Sequence, residues 1–384
     1  MVKPKGVKGA MKRMLRIVEL SILTLLILCL IVLWYFIFIS RGTIQPFYDE
    51  NGKILKNSIA ERTYVDINGV KNGMFIRGKN INQPVLLLVS SGPGTPDYFL
   101  TEAYPDMNLD NYFTICYWEY RGSCLSYDSK MYPTSITTDT LVSDTVEITN
   151  YLKERFHKDK IYIMGFSGGS YIALNTVARY PDNYYAYFGM AQVVCKGPDN
   201  DTPMYEYMKK TFTKRKDNKR LKKLEEQVYH LENGQVSCKE WGPYVMLLHE
   251  AGGGTIKDKT EFTSIVLPIL TCHCYTFHEK FDYIKGMKFY DHTTLKKEQY
   301  QNDFRKTVPS VEIPIYFLSG SYDYNCPWEV VNEYCKQINA PKKGFYLIEN
   351  SAHSPLWEQP KETIDIILEL TKDQRNEEIS SSSK

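Results

Sequence analysis

Ile161-Tyr162-Ile163-Met164-Gly165-Phe166-Ser167-Gly168-Gly169-Ser170-Tyr171 decides how this chain is read. Ile161 to Met164 form a short apolar run of buried-strand type, and Tyr171 to Arg179 read as the following helix, stopped before Pro181. Between them Gly165 to Gly169 match G-x-S-x-G. In that setting a sharp strand-to-helix turn lifts a serine hydroxyl clear of a sheet, and its neighbours must be small to avoid clashes. A plain glycine turn would produce the same five letters. The strand before and the helix after favour Ser167 as a nucleophile.

A serine hydroxyl is a weak nucleophile near neutral pH, so it needs an imidazole base held by a carboxylate. Two further apolar runs, Ile315 to Leu318 and Phe345 to Ile348, each lead into a polar loop. The first loop presents Asp323 and the second His353, in the order serine, acid, histidine expected on such a sheet. Alone, Asp323 reads equally as a turn former and His353 as one of seven histidines. Their shared place at C-terminal strand ends separates them from His249 and His292. An acyl-transfer intermediate also needs two backbone N–H donors. Gly168, after the nucleophile, and Gly92, in the Ser90-Ser91-Gly92-Pro93-Gly94 loop after Val85 to Val89, are the candidates.

Strand-like runs also occur at Thr63 to Ile67 and Met74 to Ile76 around Asn68-Gly69, at Tyr112 to Tyr117, and at Tyr185 to Val194. Thr138 to Phe156 carries Leu141, Ile148 and Leu152 at helical spacing. Alternating buried strands and helices imply a mostly parallel, doubly wound α/β sheet. The rhythm breaks over 196–308, where nine of the fifteen residues from Lys209 to Lys223 are basic; this reads as a helical cap inserted between core segments 61–195 and 309–372. Residues 373–384 are polar and Ser-rich and are expected to be a disordered tail.

Leu20 to Ile39 contains no charge, and its 20 residues span roughly the 30 Å of a bilayer core. Trp34, Tyr35 and Phe36 suit an interfacial belt. Lys3, Lys5, Lys8, Lys12, Arg13 and Arg16 precede it, leaving 41 basic against 44 acidic groups beyond residue 19. The expectation is a basic cytoplasmic segment (1–19), a single-pass anchor in the cell membrane (20–39), a linker (40–60) and an extracytoplasmic domain. A cleaved signal peptide competes, but Phe36 to Arg41 offers no small-x-small site. The near-neutral body leaves no electrostatic footprint for nucleic acid. Nine scattered cysteines show no framework spacing, and Cys272-His273-Cys274 with His278 lacks metal-site spacing.

Taken together, Ser90 to Gly94, Glu119-Tyr120-Arg121-Gly122-Ser123-Cys124-Leu125-Ser126, Gly165 to Ser170, Gly320 to Pro327 and Ser351-Ala352-His353-Ser354-Pro355 resemble the motifs of the prolyl aminopeptidase (proline iminopeptidase) branch of the α/β-hydrolases, over residues 61–370. Two positions depart: Ser90 stands where that branch has His, and Gly168 where it usually has Trp. The resemblance implies an α/β-hydrolase fold with a cap, a small-molecule or short-peptide substrate, and no metal or organic cofactor. It also implies cap acids that hold the substrate's free amine, for which Glu250 is the candidate. A peptidase reading follows. A carboxylesterase or lipase-like hydrolase and a non-catalytic binding module are the alternatives. An epoxide hydrolase or dehalogenase would need Asp at position 167.

Overall fold

The structure, a computed structural model, describes the backbone of residues 5–92 and 94–381 and the side chains of residues 9–92 and 94–375. Lys3, Pro93, residues 382–384 and the side chains of Lys5 and Lys8 lie outside the described residues. Helix α1 covers Lys5–Ile39. A hairpin follows, β1 Ile59–Ile67 and β2 Val70–Gly78, closed by Asn68 and Gly69 at φ of 52° and 73°. A two-residue turn that matches the twist of its strands needs this left-handed pair, which Asn-Gly supplies.

Next come β3 Val85–Val89, α2 Tyr98–Ala103, β4 Thr114–Glu119, α3 Thr138–Phe156, β5 Ile161–Phe166, α4 Gly168–Arg179 and β6 Tyr184–Met190. The insertion holds α5 Pro198–Lys214, α6 Asn218–Glu226, the ribbon of β7 Val228–His230 and β8 Val236–Cys238, α7 Trp241–Ala251, α8 Leu267–Thr271, α9 Phe277–Tyr290, α10 Thr294–Gln301 and α11 Phe304–Thr307. The chain then completes its sheet with β9 Ile315–Gly320, α12 Trp328–Gln337 and β10 Lys343–Ile348, and closes on α13 Pro355–Glu358 and α14 Pro360–Ser381.

Eight strands lie in the order β1-β2-β4-β3-β5-β6-β9-β10. β2 runs antiparallel to both neighbours, while β4 to β10 are parallel. Every residue of β3, β4, β5 and β9 is buried, as expected for parallel strands covered on both faces. One apolar cluster, with Leu87, Ile163, Leu141 and Ile148, fills one side of the sheet; another, with Leu88, Met164, Phe188 and Trp357, fills the other. A third, around Met204, Phe212, Tyr244 and Leu248, lies inside the insertion. Helix α3 has the expected bounds: Thr137 caps it by accepting from the Thr140 amide, and His157 ends it in the left-handed region.

Three expectations need correction. The insertion is not wholly helical, because β7 and β8 pair around Gly234, a turn residue at positive φ. Helix α4 starts at Gly168, three residues before Tyr171, since the elbow itself forms the first turn. Helix α1 extends beyond the apolar stretch back to Lys5, as the preceding Lys, Met and Arg residues are good helix formers. The tail expected to be disordered from Asp373 continues α14 to Ser381, where Gln, Arg and Glu sustain a helix despite their polarity. All nine cysteines are free thiols.

A buried ion pair ties the hairpin to this frame. Arg121, just after β4, places Nε and Nη2 at 2.5 and 2.6 Å from the Asp144 carboxylate on α3, which also accepts from Asn68 Nδ2 at 2.8 Å. Asp144→Ala leaves a buried guanidinium without its partner and should destabilise by about 3–5 kcal/mol, seen as a lower thermal midpoint. Replacing both partners together (Arg121→Met with Asp144→Leu) should cost far less. Equal losses in the two variants would remove the pair as the cause.

Candidate active site

Ser167 occupies the turn between β5 and α4 with φ 50° and ψ −121°, a region side-chain-bearing residues rarely enter. The turn holds because its amide donates to Met190 O at 2.9 Å and because glycines allow the close passage of chains. A Cβ on Gly165 would stand 2.4 Å from Ser170 Cα, and one on Gly169 2.2 Å from Ser90 O. Ser167 Oγ lies 2.8 Å from His353 Nε2, and His353 Nδ1 lies 3.0 Å from both oxygens of Asp323. A carboxylate can only accept, so the proton sits on Nδ1 and the Nε2 lone pair faces the serine hydroxyl.

Asp323 is fully buried and also accepts from the Asn325 and Cys326 amides at 3.1 and 3.0 Å. The histidine loop is held by Glu358, which accepts from the amides of Ala352, Ser354 and Lys257 at 2.9, 3.0 and 2.7 Å. Burial raises the Glu358 pKa, against the pull of those donors. Asn325 Nδ2 approaches His353 Nε2 at 3.2 Å.

Gly92 and Gly168 are brought together. A Cβ on Gly168 would lie 2.5 Å from Ser91 O and 3.3 Å from Gly92 Cα. Gly92 forms a backbone bridge with Thr95, whereas among the described residues the Gly168 amide donates to no backbone or side-chain acceptor and the adjacent Gly169 amide donates to Ser91 O at 3.2 Å. A cavity of about 160 Å³ lies over Ser167 and His353, walled by Pro96, Phe99, Leu100 and Phe166 of the core and by Thr255, Ile265 and Tyr283 of the insertion. Wider surface clefts of about 600 and 590 Å³, beside Lys71 and Arg179, include none of the three residues.

Glu250 is not brought to this cavity. It pairs with Arg220 Nε at 2.5 Å, on the same cation that meets Asp217, because α6 carries that arginine alongside the end of α7. Its neighbour His249 is buried beside Gly254, whose carbonyl accepts from the His353 amide at 3.4 Å. Burial, with a smaller contribution from His353, lowers the His249 pKa to about 4 and so keeps that ring neutral.

No family model matches the chain. It is 29% identical over 311 residues, 79% of this chain and 94% of the relative, to a Bacillus subtilis (strain 168) protein named "Probable aminopeptidase YbaC". Among solved structures it is similar to a proline iminopeptidase-related protein of Thermus thermophilus, with a TM-score of 0.50, 18% identity, and coverage of 82% of this chain and 98% of that one. It is also similar to the 2-hydroxy-6-oxo-6-phenylhexa-2,4-dienoate hydrolase of a Rhodococcus species, with a TM-score of 0.53, 14% identity, and coverage of 81% and 98%. The fold is that of the α/β-hydrolases.

Beside this fold the resemblance to prolyl aminopeptidases stands, and one departure from their pattern has a steric cause. With Ser91 O so close, position 168 has no room for an indole unless the first loop moves. A residue that the sequence reading missed holds that loop. Asp97, at the start of α2, does not cap the helix; it accepts from the Ser91 amide at 2.7 Å and from Ser91 Oγ at 2.6 Å. The Pro96-Asp97 pair before an apolar helix looks like an ordinary helix start. Only an acid placed five residues beyond Gly92 could have hinted otherwise.

Burial raises the Asp97 pKa to about 7, while the Ser91 bonds and His353 pull it down. The unfolded value is about 4, so the folded state prefers the protonated acid and loses stability as pH climbs from 4 through 7. Asp97→Asn should therefore gain stability relative to the parent between pH 4 and pH 8, read from urea midpoints. A difference that stays constant over that range would sink this account.

Proposed function

We propose that this chain is a membrane-anchored serine hydrolase that cleaves an ester or amide through an acyl-enzyme. The observation that carries the reading is the unbroken contact from the Asp323 carboxylate through the His353 ring to Ser167 Oγ, with that serine held on a strained turn. In this reading Ser167 Oγ attacks the carbonyl carbon as His353 Nε2 takes its proton, and the Gly92 and Gly168 amides receive the developing oxyanion. His353 then returns the proton to the leaving nitrogen or oxygen. Water, activated by the same imidazole, releases the acyl group.

Helix α1 is long and apolar enough to cross a bilayer over Gly9–Ile39. The basic residues before it favour a cytoplasmic N-terminus and an extracytoplasmic domain. A membrane-impermeant fluorophosphonate applied to intact cells should label the full chain, and Ser167→Ala should abolish labelling. Equal labelling of both proteins would refute the serine, and labelling only after lysis would refute the topology.

The Bacillus subtilis relative favours an aminopeptidase-like substrate. A second reading, a carboxylesterase, is favoured by the cavity. Among the described residues Asp97 is the only acid on its wall, and Ser91 already engages it, which leaves no carboxylate there for a free amine. Turnover of aminoacyl-arylamides by the purified full chain would select the peptidase; turnover of short p-nitrophenyl esters alone would select the esterase.

A further inference from the structure

Helix α9 is amphipathic in an unusual sense. Its inner face, with Lys280, Tyr283 and Gly286, packs on the core: Lys280 Nζ donates to Leu270 O and Cys272 O at 2.9 and 2.7 Å, and a Cβ on Gly286 would lie 2.7 Å from Gly94 Cα. Its outer face sets apolar residues, Phe281 49%, Ile284 50% and Met287 39% exposed, among the exposed His278, Lys285 and Lys288. The neighbouring stretch that leads into α8 adds Phe262, Val266 and Leu267, exposed by 57%, 37% and 41%. Single exposed apolar residues need no cause, but six on two adjoining elements form a patch that a water-facing surface does not sustain.

The place of this patch identifies what covers it. Helix α1 ends against the same two elements. Ile39 and Ser40 are buried there, Arg41 forms a backbone bridge with Thr276 at the start of α9, and the Thr43 amide donates to His273 O at 3.1 Å. Phe277 begins α9 at that junction, and Ile284 lies seven residues on, about 10 Å along the helix axis. Trp34 and Tyr35, both exposed, mark the interfacial end of the apolar helix just before it. Lys285 and Lys288 stand beside the apolar residues, as in helices that lie at a lipid headgroup boundary.

We infer that the outer faces of α9 and of the stretch leading into α8 lie in the lipid bilayer surface, as a second membrane contact continuous with the anchor. Ile265 and Tyr283 of the same elements line the Ser167 cavity, so the contact forms the outer wall of the site. This inference rests on the reading of α1 as a membrane span, and the test separates the two.

The test uses the full chain reconstituted in phosphatidylcholine–phosphatidylglycerol vesicles, with p-benzoylphenylalanine replacing Phe281, Ile284, Leu25 or Tyr132 in turn. Tyr132, 78% exposed, lies outside the insertion and serves as the water-facing reference. After irradiation, phospholipid adducts detected by mass spectrometry should form at positions 281 and 284 at least about threefold above position 132, and strongly at position 25 within the span. Adducts at 25 with none above reference at 281 and 284 would overturn the bilayer contact and leave the anchor intact. No adducts at 25 would overturn both, and cross-linked dimers in place of lipid adducts at 281 or 284 would assign the patch to a second copy.

Discussion

The backbone of Ser167 is the constraint on which the site depends. A non-glycine residue at φ 50° costs about 1–3 kcal/mol, and the surrounding sheet must over-determine it. Here β5, with hydrogen-bonded neighbours on both sides, fixes one end of the turn and α4 fixes the other, while the Ser90–Gly92 loop presses on the glycines between. The hydroxyl has no other direction to point than toward the C-terminal edge, where the imidazole waits.

The acid and the imidazole reach that edge by the same physics. β9 and β10 lie side by side and in parallel, so their following loops leave in the same direction. Tyr322 donates from its amide to Ser351 O at 2.8 Å, binding the two loops together. Asp323 is buried but fully engaged by the imidazole and by two backbone amides, as a charge removed from water must be. Asp97 and Glu358 do for the flanking loops what Asp323 does for the ring, each acid collecting donors that set a loop's path.

The insertion is held to this frame by polar contacts unlike those inside the sheet. Tyr275 donates to the buried Glu119, whose pKa burial raises to about 8, and Arg62 of the hairpin pairs with Glu279 at the start of α9. These contacts surround the junction where α1 arrives. Helix α1, the insertion and the cavity wall therefore meet at one junction, with Phe281, Ile284 and Met287 of α9 turned away from the core.

Short-range chemistry was legible without coordinates: the Asn68-Gly69 turn, the bounds of α3, the buried runs of the parallel strands, the apolar N-terminal helix, and the candidates Ser167, Asp323 and His353. These readings rest on local periodicity and on motifs whose physics lies within a few residues. What depends on distant partners was not legible. Glu250 lies by sequence in the region where a substrate-binding acid is expected, yet α6 brings Arg220 against it. Asp97 looks like a helix start, yet folding turns it onto Ser91. Which side chains are candidates for an acyl transfer, and which segment is apolar enough for a bilayer, could be read from the residues alone, because both follow from composition and local pattern. Which charges are already engaged, and which apolar faces remain uncovered, emerged with the folded chain, because pairing and burial are set by segments far apart in sequence.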